Sequence, residues 1–183
     1  MLSQFSPAAS KKILKDYFKV PHNVYPVGRL DYDSEGLLIL TNDPSINYRL
    51  LNPSFAHERE YWVQVEGQIT KAALELLRSG VDIVVDGKMY HTKKSIAEVF
   101  ATDPDVERRD PPVRFRKNIP TSWIKLIITE GKNRQVRKMT AKAGFPTLRL
   151  IRHRIGKLTL EGSKPGSIKE LTRDELCPLL FPA

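Results

Sequence analysis

Apolar positions recur along this chain with two periods, and the switches between them mark its elements. A two-residue period runs over Arg59–Gly67, with Tyr61, Val63 and Val65 facing one way and Glu60, Trp62, Gln64 and Glu66 the other, which predicts a strand. A second strand is predicted over Ser122–Glu130. There Ile124, Leu126 and Ile128 share one face and Trp123 and Ile127 the other, the two-sided pattern of a central strand. Helical spacing appears over Ser10–Val20, where Ile13, Leu14, Tyr17 and Phe18 line one face before Pro21. It returns over Lys71–Ser79, with Thr70 as cap, Ala73, Leu74 and Leu77 inward and Gly80 as the stop. A third helix is predicted over Arg134–Ala143, with Asn133 as its cap, Val136, Met139 and Ala143 as its inner stripe and Gly144 at its end. Val81–Val85 reads as a strand closed by the hairpin signal Asp86-Gly87, with Lys93–Phe100 as its pairing partner. Thr147–Leu160 reads as a hairpin turning near Gly156, and Thr172 with Glu175 as a capping box opening a short last helix. Between Ala101 and Pro120 no period survives, which predicts a loop.

One stretch has the grammar of a site. The apolar approach Val24–Val27 and the apolar run Leu37–Leu40 enclose a turn carrying Asp31, Asp33 and Glu35. The run is bounded by Gly36 and by Asn42-Asp43-Pro44 and reads as a buried strand, so the three acids sit at its mouth.

Charge sharpens this picture. The 183 residues carry a formal net charge of +9, with 40% hydrophobic and 28% charged residues, enough for a packed core and suited to a polyanionic partner. From Gly131 to Leu160 there are nine basic residues and no acid: Lys132, Arg134, Arg137, Lys138, Lys142, Arg149, Arg152, Arg154 and Lys157. A solvated face ordinarily mixes signs, so the block predicts polyanion binding, and arginine forks suit phosphate. The loop adds Arg108, Arg109, Arg114, Arg116 and Lys117 as candidate RNA contacts, and Tyr61, Trp62 and Trp123 are candidate stacking surfaces for an unpaired base.

Several chemistries lack their residues. His22, His57, His91 and His153 fall at no metal-ligand spacing, and there is neither a phosphate-binding glycine loop nor a context for a Ser-His-Asp triad. No apolar run approaches bilayer length, and no secretory signal is read at the N-terminus. The single Cys177 fits a reducing cytoplasm and a packed structural role. What remains is a carboxylate on a turn, an aromatic strand and a basic helix. A carboxylate held ionised by an arginine can act as nucleophile or base on a sugar C1′ or a pyrimidine ring.

Three segments in order carry a resemblance. Gly28-Arg29-Leu30-Asp31 with Ser34-Glu35-Gly36-Leu37-Leu38 resembles the central signature of pseudouridine synthases, and Arg59-Glu60-Tyr61-Trp62-Val63 resembles their tyrosine motif. Gly131-Lys132-Asn133-Arg134-Gln135-Val136-Arg137-Lys138-Met139 resembles the third signature of the branch of that family typified by its A-type synthase of the small ribosomal subunit. Within that branch the sequence is most similar to a type acting on the large ribosomal subunit and consisting of the catalytic domain alone, a likeness echoed in Arg116–Trp123. The resemblance implies an α+β fold, a mixed and mostly antiparallel sheet flanked by helices, with a central cleft. Residues 1–183 would form one catalytic domain of two subdomains sharing one sheet, with no separate N-terminal RNA-binding domain. It implies an isomerase that turns a uridine of 23S ribosomal RNA into pseudouridine without cofactor or metal, a monomer in the cytoplasm with no membrane partner. By similarity Asp31 is the nucleophile, Tyr61 packs on the base and later takes a proton, and Arg137 pairs with Asp31. Arg29 holds the target nucleotide out of its stack, Val136 packs under the base, and Arg134 and Lys138 touch phosphate. Arg59 (where the family has lysine), Arg149 and Arg152 complete the expected RNA contacts. The opening strand with Lys-Pro that members usually carry is not found, which predicts a sheet short of one element.

Two other readings fit the same residues. One is a non-catalytic RNA-binding module for ribosome assembly. The other is a glycosidase-like hydrolase pairing Asp31 with Glu35.

Overall fold

The computed structural model describes residues 3–5, 12–113, 116 and 119–181. Its centre is an antiparallel ladder of long strands. The strand Arg59–Glu66 (β4) lies between Thr121–Ile128 (β8) and Thr147–Ile155 (β9). Ile96–Val99 (β7) extends the sheet beyond β8, and Leu158–Thr159 (β10) pairs back on β9 across the Gly156 turn. The two-residue strand Glu35–Gly36 (β2) docks parallel to β9, making the sheet mixed. Helices flank this sheet, in the expected α+β arrangement.

The alternating pattern of β4 and β8 places Val63, Val65, Ile124, Leu126 and Ile128 on one face, all almost fully buried. Onto them pack the helices Lys71–Ser79 (α2) and Gln135–Lys142 (α3) through Leu74, Leu77, Val136 and Met139. Thr70 caps α2 by accepting from the Ala73 amide, and Gly80 ends it at φ 101°, as its sequence predicts. A smaller core forms where Val27, Ile39, Ile46, Leu50 and Ile155 meet Leu180 of the helix Arg173–Leu180 (α4), whose Thr172–Glu175 capping box is present. Cys177 packs against this second core.

Four expectations need correction. Of the helix over 10–20, residues 10 and 11 lie outside the described residues, and the remainder makes only a 3-10 turn at Leu14–Asp16. The Asp16 carboxylate accepts from the Ile13 amide and the Leu14 amide bonds to the Gln4 carbonyl, so local partners compete with a helical ladder. Leu37–Leu40 is not one buried strand. Tyr25–Pro26 (β1) pairs with Leu40–Thr41 (β3) in a minimal hairpin, and of the run only Ile39 is fully buried. The strand Asp82–Val85 (β5) pairs with Lys88–His91 (β6) across Asp86 and Gly87, both at positive φ, while β7 pairs with β8. The third helix starts one residue later than expected, with Arg134 rather than Asn133 at the cap position, in the left-handed region at φ 52°.

A helix absent from the sequence-based expectations, Pro44–Leu51 (α1), follows β3. Asp43 caps it through the Ser45 amide, Pro44 opens it, and Ile46 and Leu50 bury one stripe.

The β2 dock demands a glycine. At Gly36, φ is 112°, and a Cβ there would lie 2.3–2.8 Å from backbone atoms of Arg152. Gly36→Ala is expected to separate β2 from β9 and lower stability by about 2–4 kcal/mol. A urea unfolding midpoint equal to wild type would contradict this packing.

Candidate active site

The acid turn is built almost entirely by its backbone. The Ser3 hydroxyl donates to the Leu30 carbonyl at 3.0 Å and accepts from the Leu30 amide at 2.9 Å, tying the approach to the N-terminal segment. The Ser34 amide bonds to the Asp31 carbonyl at 3.0 Å and closes the turn over Tyr32 and Asp33. The chain then enters β2, and the Leu37 amide donates to the Arg152 carbonyl. Asp31 is thereby held half-buried at the edge of a cleft of about 380 Å³ that crosses the sheet where the two cores meet.

Seven of the ten expected site residues line this cleft: Asp31, Tyr61, Arg29, Arg59, Arg134, Val136 and Arg152. Tyr61 comes from β4, and Val136 from the first turn of α3. Arg29 is exposed and makes no ion pair with the described residues. Arg59 donates to the Leu50 carbonyl at 2.6 Å, and burial lowers its pKa. Lys138 is half-buried on α3 and lies off the cleft.

The arginines differ most from expectation. Arg134 grips Asp33 with both terminal nitrogens at 3.0 Å and lies 3.6 Å from Asp31. Arg137 sits behind the turn. Its Nη2 donates to the Asp33 carbonyl at 2.7 Å and lies 3.4 Å from the Asp33 carboxylate, so its direct partner is Asp33 rather than Asp31. Its Nε is buried without a hydrogen-bond partner among the described residues, and burial lowers its pKa. Arg149 is buried. It holds both oxygens of Glu35 at 3.0 and 2.8 Å, donates to the Glu107 carbonyl and does not line the cleft. Arg152 is buried too, and its Nε and Nη2 donate to the Leu37 carbonyl, so it braces the dock. Arg154 binds Glu60 and Glu58.

The arginines of the acid-free block are therefore not a free basic surface, whereas its lysines Lys132, Lys142 and Lys157 are exposed and make no ion pair with the described residues. The arginines are paired with carboxylates and carbonyls contributed by distant segments. Burial of guanidinium groups requires such partners. Arg109 and Arg116 of the long loop behave likewise, at 3.5 Å from Glu35 and 2.9 Å from Glu66. Arg114 and Lys117 lie outside the described residues. The two tryptophans are on the face away from Tyr61. Trp123 is buried, and Trp62 stacks on His153 with ring centroids 3.8 Å apart while its Nε1 donates to Glu60. They form no stacking surface in the cleft. Glu35 lines the cleft as well, with both of its oxygens held by Arg149.

Sequence reasoning missed a polar cluster on the far wall, made by Tyr90, Lys93, Glu130 and Gln135. Gln135 lies one turn before Met139 on the inner face of α3, and Glu130 ends an apolar strand immediately before Gly131. An acid at that position and a glutamine on an apolar stripe were the available signals. His57 also lines the cleft, and burial holds its pKa below the usual histidine value. Among the described residues no group of three or more His, Cys, Asp or Glu side chains converges as a metal site.

Asp33 gives the turn a pH dependence. The Arg134 hydrogen bonds hold its carboxyl below the usual aspartate range. A carboxylate whose folded pKa is depressed stabilises the fold fully above its unfolded pKa, and that contribution is lost as pH falls through the folded value. Acidification below about pH 4, the unfolded aspartate value, should therefore loosen the turn from α3. The protection factor of the Ser34 amide, that is its exchange corrected for the intrinsic pH dependence, is expected to fall as the wild type is acidified, and Asp33→Asn should remove that dependence.

The arrangement thus joins a half-buried carboxylate, a guanidinium 3.6 Å away and an aromatic wall in a cleft sized for a small ligand. Against known proteins, the pattern of the RNA pseudouridylate synthase family matches residues 5–142. The chain belongs to that family. Among curated synthases, it is 48% identical over 171 residues to the ribosomal large subunit pseudouridine synthase E of Vibrio vulnificus, covering 93% of this chain and 70% of that one. It is 46% identical to the corresponding E synthase of Xanthomonas axonopodis, over 90% of this chain and 85% of the relative. The large subunit pseudouridine synthase B of Bacillus subtilis is 35% identical over 91% of this chain and 62% of its own length. A crystal structure of a pseudouridylate synthase superposes with a TM-score of 0.69 at 26% identity, covering 87% of this chain and 62% of that one. This synthase is therefore an RNA-modifying isomerase. Among the described residues no helix is long and apolar enough to cross a membrane.

Proposed function

We propose that this synthase converts a specific uridine of 23S ribosomal RNA to pseudouridine, with Asp31 as the nucleophile. Residues 1–183 would act as a single catalytic domain, monomeric and cytoplasmic. The observation that carries the reading is the half-buried Asp31 carboxylate beside Arg134, facing Tyr61 and Val136 across one cleft. The likeness to the E-type synthases of the large ribosomal subunit supports the choice of RNA.

In the reaction the N1–C1′ bond breaks, the freed uracil turns, and a C5–C1′ bond forms. The C5 proton leaves and N1 gains one, so atoms balance without a cofactor. Asp31 attacks the sugar or the ring, Tyr61 packs on the base and serves as the later proton acceptor, and Val136 supports the base from below. Arg134 is the cation beside Asp31, and Arg137 supports the turn from behind. Arg29 holds the extruded nucleotide, a role supported by its exposure and its place in the cleft lining. Lys132 adds rim charge for phosphate.

The test is a pseudouridine map of unmodified ribosomal RNA after incubation with the protein. One new site in 23S RNA is the expected result. Salt-sensitive binding to RNA with no new site would favour the binding-module reading instead.

A further inference from the structure

The buried carboxylate of Glu130, which the proposed reaction does not use, gathers three chain segments at the wall of the cleft. Its side chain accepts from the Tyr90 hydroxyl of β6, from the Lys93 amide at 2.9 Å and from the Gln135 carboxamide of α3. Glu130 is 4% exposed and Gln135 3%. All three partners are donors, so a carboxylate, which only accepts, matches them and a carboxamide would not. Tyr90 is held protonated by this bond, its pKa pushed up to about 12.

Gln135 passes the constraint on. Its side-chain oxygen accepts from the Lys132 amide at 2.9 Å, while its own amide donates to the Lys132 carbonyl at 3.1 Å. These two bonds close the Lys132–Gln135 turn from both sides. Asn133 and Arg134 are the residues inside it, and Arg134 takes a left-handed conformation that arginine rarely adopts. A strained backbone of this kind persists only where its surroundings over-determine it. Glu130 anchors the side chain that does so. The consequence lands on the site, because Arg134 reaches from this turn to Asp33 and Asp31.

We propose that Glu130 is a positioning residue: through Gln135 it sets the Lys132–Gln135 turn and so aims Arg134 at the Asp31–Asp33 carboxylates. The proposal rests on the reading of Asp31 and Arg134 as the reacting centre. A buried acceptor with three donors is costly to replace, so local rather than global disruption is the behaviour to look for.

The experiment has two arms. In the first, amide exchange is measured on wild type, Glu130→Gln and Gln135→Leu without RNA. Exchange at the Lys132 and Gln135 amides, the two that are hydrogen-bonded in the turn, is expected to rise at least tenfold in both variants, with the β4–β8 ladder still protected. Unchanged exchange at these two amides overturns the proposal. If Glu130→Gln does not fold, Gln135→Leu, which leaves Glu130 its other two donors, decides alone. In the second arm, kcat is compared in a cycle of Glu130→Gln, Arg134→Lys and the double variant. Glu130→Gln is expected to lower kcat at least tenfold with KM within threefold, and the double variant to be no slower than Arg134→Lys. Independent, multiplying losses would give Glu130 a merely structural role and overturn the proposal. A wild type that makes no pseudouridine would sink the functional reading, while the exchange arm still decides the turn.

Discussion

Asp31→Asn is expected to fold as the wild type does and to lose turnover by about 10⁴-fold or more, the scale on which removing a nucleophile acts. The fold should survive because the turn is made by backbone bonds, from Ser34 to Asp31 and from Ser3 to Leu30, that an amide side chain leaves intact. Turnover should not survive, because no neighbouring acid can substitute. Asp33 is clamped by Arg134, and both oxygens of Glu35 are held by Arg149. The measurement is single-turnover pseudouridine formation at the mapped site, with RNA binding and thermal unfolding as controls. A rate within tenfold of wild type would move the nucleophile elsewhere. Loss of RNA binding along with turnover would make Asp31 a recognition residue instead.

The second large effect is on stability. Arg149→Ala should cost about 2–4 kcal/mol, because it removes the bidentate partner of the Glu35 carboxylate beside β9. The lower half of that range reflects Glu35, whose side chain is 31% exposed and keeps Arg109 at 3.5 Å. The salt dependence of RNA binding should be unchanged, since a buried guanidinium releases no counterions from RNA. If Arg149 touched phosphate, stability would hold and the salt slope would fall by about 1. Chemical denaturation together with binding across a salt series distinguishes the two.

These effects divide along what a sequence can carry. The long ladder was legible because β4 and β8 each bury an alternate set of side chains, a pattern that neighbouring residues display by themselves. The capped helices α2 and α4 were legible for the same reason, with Thr70, Gly80 and the Thr172–Glu175 pair marking their ends. The two-residue strand β2 was not. β2 owes its existence to a parallel partner far along the chain and to the missing Cβ of Gly36, and neither is local information. The candidate site divides the same way. Seven expected residues do line the cleft, because motifs at strand mouths and helix starts survive as short words. What each arginine does was illegible, since charge counted along the chain does not say which carboxylate folds against it. Glu60, Glu35 and Asp33 neutralise guanidinium groups of the late block from segments that look, in the sequence, like separate acidic features. The Glu130 cluster went unread because its members belong to three elements and only one of them, Gln135, falls within a recognisable motif.

The parallel dock of β2 on β9 has a consequence in time. The Leu37 carbonyl and the Arg152 guanidinium that fixes it are 115 residues apart. A ribosome adding about 5–20 residues per second leaves that carbonyl waiting roughly 6–23 s for its partner. The acid turn is thus among the first parts of the described chain to be synthesised and among the last to be set in place. Closing so long a loop also belongs to the slow events of folding, after the local hairpins and capped helices have formed. A nascent chain that has not yet exposed β9 would carry its acids without a cleft. Such ordering would keep an enzyme aimed at RNA inert until β9 has emerged from the ribosome that made it.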